Sequence, residues 1–505
     1  MRVLALDIGT SSVRASLYGP DGRGVPGAAA RVPHQVDYRL DGGVETDADA
    51  LVARVEQAID LCLGAAPEDA EVAAVGTSCF WHSLLGLDAA SHPCTPLLIW
   101  ADTRSAPDVA ELGRRLDAEA LRARTGCPPH SSYPAAKLLW IRRERPDWWG
   151  AARRWVSFGD YLTHRLCGEL VSSISMASGS GLFDQRAGAW DGEVLEAVGL
   201  GAGALPALAD LAELPGLRLR PADRWPALAG ASVLLPAGDG ACNNMGSGCM
   251  DGAGDAGGAA LPARSGRLAL MIGTSGAVRR CSPGGPWTVP PSLWQYRLDR
   301  RRGLVGGALS NGGNLHQWLL GALRLPDLDG DGLDRALDAM APGAHGLVFL
   351  PLLAGERSPG WAPGASGAIA GLREATTPLE ILRAGLESVA VRLAALAADV
   401  GGAAQVIGSG GGLYHSRAWA RMIADALGQD LWLSAEAEPS SRGAALLALE
   451  ATGAVPDAAA LDPPLGGVVR ADPERRAGYR RAWERQRHLY DWLRADAVAG
   501  WAASG

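Results

Sequence analysis

Two aspartates and two copies of one short string hold the chemistry most open to reading in this chain. Residues 4–11 read LALDIGTS and residues 268–275 read LALMIGTS, seven matches in eight positions set 264 residues apart. Each copy is an apolar run that stops at Gly-Thr-Ser: Gly9, Thr10 and Ser11 in the first, Gly273, Thr274 and Ser275 in the second. Glycine lets backbone N–H groups approach an anion closely, and the hydroxyls add donors. One strand-Gly-Thr turn is ordinary, whereas an eight-residue repeat points to a duplicated supersecondary unit. Two such turns suit the two ends of a polyphosphate. The single difference is chemical: Asp7 becomes Met271, so only the first turn offers a carboxylate to a hydrated Mg²⁺. The second aspartate, Asp239, stands between glycines in PAGDGACNNMG after a short apolar strand, facing a helix expected to begin near Cys242. On its residues alone this stretch also fits an ordinary Asp-Gly turn.

The elements that position these groups follow from periodicity. Residues 13–18 return from the first turn as a strand carrying Arg14, which is either solvated or aimed at phosphate. Leu51, Val55, Ile59 and Leu63 mark a helix over 47–63, and 72–77 reads as a buried strand, so a sheet covered by helices is expected. That strand runs on to Trp81 and His82, and PLLIWADTRS ends with Asp102 and Arg104, at the kind of strand end that faces a cleft. Trp81 with His82 also fits a structural pair, and Asp102 with Arg104 a plain loop salt bridge. Facing the cleft, the latter two offer an acceptor and a forked donor to a polyol or acid. SSYPAAKLLW begins a helix at Pro134 whose first turn holds Lys137, the only lysine in the chain. Residues 306–323 join a glycine-rich turn containing Gly313 to an amphipathic helix carrying Gln317, with its N-terminus directed at a nucleotide. Residues 405–419 give strand, Gly410-Gly411-Gly412 and helix. Residues 206–231 read as surface connection, 252–266 as a low-complexity loop between the halves, and 473–495 as a polar helix before a fraying end.

With 505 residues and a repeat straddling the middle, two domains are expected. The net charge of −8 argues against a nucleic-acid partner. No apolar run approaches the ~20 residues a membrane helix needs, and Asp7 interrupts the only apolar stretch near the start, so a cytoplasmic protein is expected. Eight cysteines without a CxxC pair read as reduced thiols.

The paired hairpins resemble those of the sugar kinase, Hsp70 and actin superfamily. Ser132–Glu144 fits the first signature of the FGGY carbohydrate kinases, Glu356, Arg357 and Pro359 their Gly-Glu-Arg-x-Pro segment, and 367–387 their second signature, with Gly385 a departure. The resemblance implies an α/β fold of two similar ribonuclease-H-like domains with an ATP cleft between them, at 1–237 (sugar side) and 238–505 (nucleotide side). It implies Asp239 as general base and Asp7 with Asp239 at Mg²⁺. Gly9, Thr10, Ser11, Arg14, Gly273, Thr274, Ser275, Gly313 and Gln317 are then expected about the nucleotide, with Gly410, Gly411 and Gly412 against adenosine. GTSGAVR, AGDGACNNMG and WADTRS are most similar to the gluconate kinases of that family, with Asn244 matching the Asn of their Asp-Gly-x-x-x-Asn pattern. The expected reaction is therefore ATP-dependent phosphorylation of D-gluconate to 6-phospho-D-gluconate. Trp81, His82, Asp102, Arg104, Lys137 and Asn244 would surround the substrate, and Arg104 or Lys137 would pair its carboxylate. Xylulose or another pentulose is the alternative, since His82 suits it, and an actin- or Hsp70-like ATPase is the alternative of another class. The expected partner is a small sugar or sugar acid, and a homodimer is compatible with this reading.

Asp239→Asn should lower turnover by about 10²–10⁴ while leaving ATP affinity little changed. Steady-state kinetics with ATP and carbohydrate varied in turn check this, and normal turnover would remove Asp239 from the base's role.

Overall fold

The chain opens on a hairpin because an apolar run meets a turn that its neighbours can close. In the computed structural model, which describes residues 1–67, 71–214, 216–220, 222–251 and 266–494, β1 (Arg2–Ile8) is buried from Val3 onward. It turns at Gly9–Ser11 into β2 (Ser12–Tyr18), followed by β3 (Gly24–Pro33). Helix α1 (Ala48–Gly64) is capped by Asp47, whose side chain accepts from the Ala50 amide, and it buries Leu51, Val55 and Ile59 as their spacing requires. β4 (Val72–Cys79) returns parallel to β1. After α2 (Pro134–Glu144), two short strands β5 (Ser232–Val233) and β6 (Ala237–Gly238) add alongside β4, and β6 runs directly into α3 (Asp239–Gly246). The helix starts at Asp239 itself, three residues before the expected Cys242, because Gly238 takes the extended N-cap conformation.

The repeat then builds a second sheet. β7 (Arg267–Ile272) and β8 (Gly276–Pro283) form the second hairpin, and β9 (Trp294–Arg297), β10 (Arg302–Leu309), α4 (Gly313–Ala322) and α5 (Pro378–Asp399) follow. β11 (Gln405–Ser409) lies parallel to β7, followed by α6 (Arg417–Leu427), β12 (Leu431–Ser434), α7 (Pro439–Ala451), β13 (Leu465–Val469) and α8 (Arg476–Arg494). Each half thus pairs a first strand antiparallel to its hairpin mate and parallel to a later strand.

The chain packs as two compact units, Met1–Pro262 with Arg280–Val305 and Glu438–Pro463, and Ala263–Arg279 with Gly306–Ala437 and Pro464–Gly505. The expected cut at 237/238 falls inside the first unit, since α3, β9 and α7 all pack there. The segment read as surface connection also turns inward, burying Leu211, Leu217, Leu219, Trp225 and Leu228. The low-complexity loop, apart from Gly266, and the fraying end beyond 494 lie outside the described residues. Among the described residues, no helix is long and apolar enough to cross a membrane.

Backbone-to-backbone packing sets the first unit's interior. A Cβ at Gly443 on α7 would come within 1.9 Å of the Cys242 carbonyl oxygen on α3. One at Gly246 would meet the Pro439 carbonyl at 1.8 Å, and one at Gly76 on β4 the Ala444 carbonyl at 2.1 Å. Helix α7 therefore lies on α3 and β4 with no side chain between them. Gly443→Ala should lower the unfolding free energy by about 2 kcal/mol or more, by overpacking an already filled contact. A urea titration measures it, and an unshifted midpoint would mean the helices separate without cost.

Candidate active site

Sheet register gathers the first group of polar side chains. On β1, Asp7 stands opposite Arg14 of β2 and beside Ser78 of β4, and Ser78 in turn stands beside Ala237 of β6, two residues before Asp239. The Ser78 hydroxyl donates to Asp7 Oδ1 at 2.8 Å, and Arg14 Nη1 lies 3.3 Å from Asp7 Oδ2. Arg14 also reaches across to Glu438, just ahead of α7, with Nε 2.8 Å from Oε1. Burial pushes the Asp7 carboxyl above its ordinary range, Arg14 and Ser78 pull it back, and the neighbouring charge of Asp239 pushes it up again. Asp239 is half-buried at the first position of α3, with Oδ1 accepting from the Gly240 amide at 2.8 Å. Beneath this pair, the Cys79 and Cys242 thiols are buried and held up, by desolvation first and by the two carboxylate charges among the further causes. An acidic pair in which the charge of Asp239 raises the proton affinity of Asp7 suits a hard divalent cation, which takes one or two carboxylates and completes its shell with phosphate and water. Among the described residues, no cluster of three or more His, Cys, Asp or Glu would hold a metal by protein ligands alone.

Beside Asp239 lies an aromatic wall. A Cβ at Gly238 would come within 1.8 Å of the Trp81 ring, and one at Gly179 within 2.6 Å, so this indole is clamped between two glycine backbones. Ser175 ties the pieces together, its carbonyl accepting from Trp81 Nε1 at 2.9 Å and its hydroxyl from the Gly238 amide at 3.0 Å. Tyr296 on β9 packs on Trp81 at 4.9 Å between ring centroids and stacks on Trp294 at 4.1 Å. Its hydroxyl meets that of Tyr133 at 2.7 Å. His82 touches both tyrosines edge-on, at 4.9 Å from Tyr133 and 5.5 Å from Tyr296. Its backbone is left-handed, φ 67°, a conformation costing a non-glycine residue roughly 1–3 kcal/mol. The ring Nδ1 donates to the Gly179 carbonyl at 2.5 Å.

Four residues expected to face substrate, Asp102, Arg104, Lys137 and Asn244, are engaged elsewhere. Arg104, its side chain 7% exposed, holds Asp102 with Nη2 2.5 Å from Oδ2 and Glu45 at 2.8 Å, and its guanidinium covers the Trp140 ring at 4.5 Å. Asp102 also accepts from the Val44 amide at 3.0 Å, so this pair is a buried structural ion network, with Glu45, 59 positions from Arg104, as the partner that spacing could not supply. Lys137 is fully buried and donates to the carbonyls of Ser132 and of His82, the latter at 3.4 Å. Asn244 is fully buried too, and donates to the Cys249 carbonyl at 3.3 Å, closing the end of α3. Trp81, likewise buried, is a floor, while His82 and Asp239 retain partial exposure.

In the second unit, three turns meet. The Gly273 amide donates to the Ser275 carbonyl at 3.0 Å, and the Gly313 amide at the start of α4 donates to the Gly273 carbonyl at 2.9 Å. A Cβ at Gly313 would reach that oxygen at 2.5 Å. Gly410 has φ 96°, and a Cβ there would come within 2.3 Å of the Ile272 carbonyl. The turn at 410–412 therefore lies directly on the second hairpin. Thr274 and Gly411 are exposed at this place, and Gln317 is exposed further along α4. Backbone with no intervening side chains, next to a hydroxyl-bearing turn and a helix N-terminus, forms a surface suited to phosphate and a flat base.

The N-terminal domain pattern of the FGGY family of carbohydrate kinases matches residues 2–246, and the C-terminal domain pattern matches 268–452. A xylulose kinase from Streptomyces rubiginosus is 31% identical over 460 residues, covering 88% of this chain and 86% of that one. The chain belongs to the FGGY family of carbohydrate kinases. A gluconokinase from Bacillus subtilis (strain 168) is 27% identical over 492 residues, 93% of this chain and 91% of its own. The crystal structure of gluconate kinase from Lactobacillus acidophilus superposes with a TM-score of 0.86 at 25% identity over 98% of each chain. This FGGY kinase is accordingly an ATP-dependent phosphotransferase acting on a carbohydrate, with the family's two-domain, actin- and hexokinase-like α/β fold.

Five residues that sequence reasoning passed over join the candidate site of this FGGY kinase. Ser78 and Glu438 brace Asp7 and Arg14, and Tyr133, Trp294 and Tyr296 build the wall. The period-two spacing of Trp294 and Tyr296 in WQYR was a visible sign of a one-faced aromatic strand. Gly410→Ala should raise KM for ATP by roughly tenfold or more, by displacing the turn from the hairpin, with KM for carbohydrate unchanged. Kinetics at varied ATP test it, and an unchanged ATP KM would detach this turn from the nucleotide.

Proposed function

We propose that this kinase converts D-gluconate to 6-phospho-D-gluconate. The observation that supports the chemistry is the register that sets Asp239, at the open start of α3, beside the Asp7–Arg14 pair. Asp239 then takes the proton from the attacking hydroxyl, and the turn at Gly9, Thr10 and Ser11 with Arg14 meets the transferring phosphate. Asp7 and Asp239 would hold Mg²⁺, which supplies charge neutralisation at the phosphate. Gly273–Ser275, Gly313 and Gly410–Gly412 offer the nucleotide its backbone surface. Phosphoryl transfer asks mostly for alignment and charge balance, and fixed backbone and paired side chains provide both.

Support for gluconate comes from the likeness to proteins named gluconokinase and gluconate kinase across more than nine-tenths of the chain. Arg104 and Lys137 are buried and bonded to interior partners, so the gluconate carboxylate would have to meet polar groups of the wall other than these two cations. The same burial favours a second reading, a pentulose such as xylulose, which needs no cation at this wall and which the xylulose kinase likeness also supports. ADP release should rise strongly with gluconate in a panel of gluconate, xylulose, ribulose, glycerol and no carbohydrate. Stimulation by a pentulose alone would replace the substrate and keep the mechanism; release without any carbohydrate would overturn both.

A further inference from the structure

Lys137 is a costly residue where it stands. It is the chain's only lysine, it is completely buried, and it lies in the first turn of α2, where the helix dipole disfavours a cation. Desolvation lowers its pKa to about 7, with the nearby Asp102 raising it and Arg104 lowering it. Neither carboxylate of the adjoining network bonds it, because Asp102 and Glu45 are both engaged by Arg104. Its direct acceptors are two main-chain carbonyls from separate segments, Ser132 before α2 and His82 after β4.

Those two carbonyls belong to the turns that present the substrate wall. Ser132 precedes Tyr133, and its own amide and hydroxyl are fixed by His130 Nδ1 at 3.1 and 3.0 Å. His82 carries the left-handed backbone, and its ring rests edge-on against Tyr133. A tetrahedral ammonium can join two carbonyls at divergent angles, which a planar guanidinium in a sealed space cannot do without displacing one of them.

We propose that Lys137 is a positioning residue: by bridging the Ser132 and His82 carbonyls it holds the His82 ring and Tyr133 in register as the carbohydrate-facing wall. It touches no substrate and acts through His82. The inference rests on the assignment of His82 to that wall and not on which carbohydrate is phosphorylated.

The test is a double-mutant cycle of Lys137→Met and His82→Ala, with KM and kcat measured on the carbohydrate that the panel selects. Lys137→Met should raise the carbohydrate KM by roughly tenfold, with KM for ATP within about twofold of the parent. The double variant should be no worse than His82→Ala alone, because the lysine has nothing left to position. Additive losses, or an ATP KM rising in step with the carbohydrate KM, would overturn the proposal and leave Lys137 as general scaffolding. A carbohydrate KM unchanged by His82→Ala would overturn the wall assignment and this inference with it. Where Lys137→Met does not accumulate as folded protein, Lys137→Gln, polar but one bond too short to span both carbonyls, takes its place in the same cycle with the same expected loss.

Discussion

Helix α7 rests on α3 and on β4 at distances that only glycine permits, and the geometry of the first unit's polar groups depends on that contact. Gly443, Gly246 and Gly76 each face a main-chain carbonyl where a methyl would overlap it. Close approach brings Glu438, at the head of α7, to Arg14, and Arg14 to Asp7. It also fixes the direction in which α3 leaves the sheet, and hence where Asp239 stands. Gly238 extends the same logic to Trp81, whose ring occupies the volume that a side chain would fill. Ionic groups at the strand ends are thus set by packing that carries no charge.

What could be read in advance divides by sequence separation. The hairpins, Asp7 and the glycine turn at 410–412 were legible because each is a local pattern, with the chemistry written into adjacent residues. The fold class was legible through the repeat and the order of motifs. Arg104 and Lys137 show the opposite case. Their charges were plain and Asp102 and Ser132 lie close by, but Glu45 and the His82 carbonyl lie 59 and 55 positions away, so the local pattern showed only part of what commits both cations to the interior. Tyr296 meets Tyr133 across 163 positions. The start of α3 was misplaced because a helix opening on Asp-Gly has the composition of a turn, and only the sheet behind Gly238 decides between them.

The two halves also show how one supersecondary unit can be kept and its chemistry divided. Both hairpins pair antiparallel with their mates and parallel with a later strand, and a serine, Ser78 or Ser409, stands beside the variable position in each. Only the first carries a carboxylate there, and only in that half does an arginine stand opposite. In the second, Met271 and the clustered glycines leave a surface of backbone, suited to contact and short of charge. Duplication supplies the shape twice, and the exchanges at Asp7/Met271 and Arg14/Ala277 leave the two halves with different charge.

The thiols under the carboxylate pair have a consequence in redox terms. Cys79 and Cys242 are sealed by β4 and α3 and held protonated by burial and by the negative charge above them. Thiolates, not thiols, attack peroxides and disulfides, so these sulfurs are inert while the carboxylates stand over them. A chain with eight unbridged cysteines can therefore meet an oxidant without losing its central residues, as long as α3 stays seated. The groups that arrange the chemistry also keep the nearest sulfur out of it.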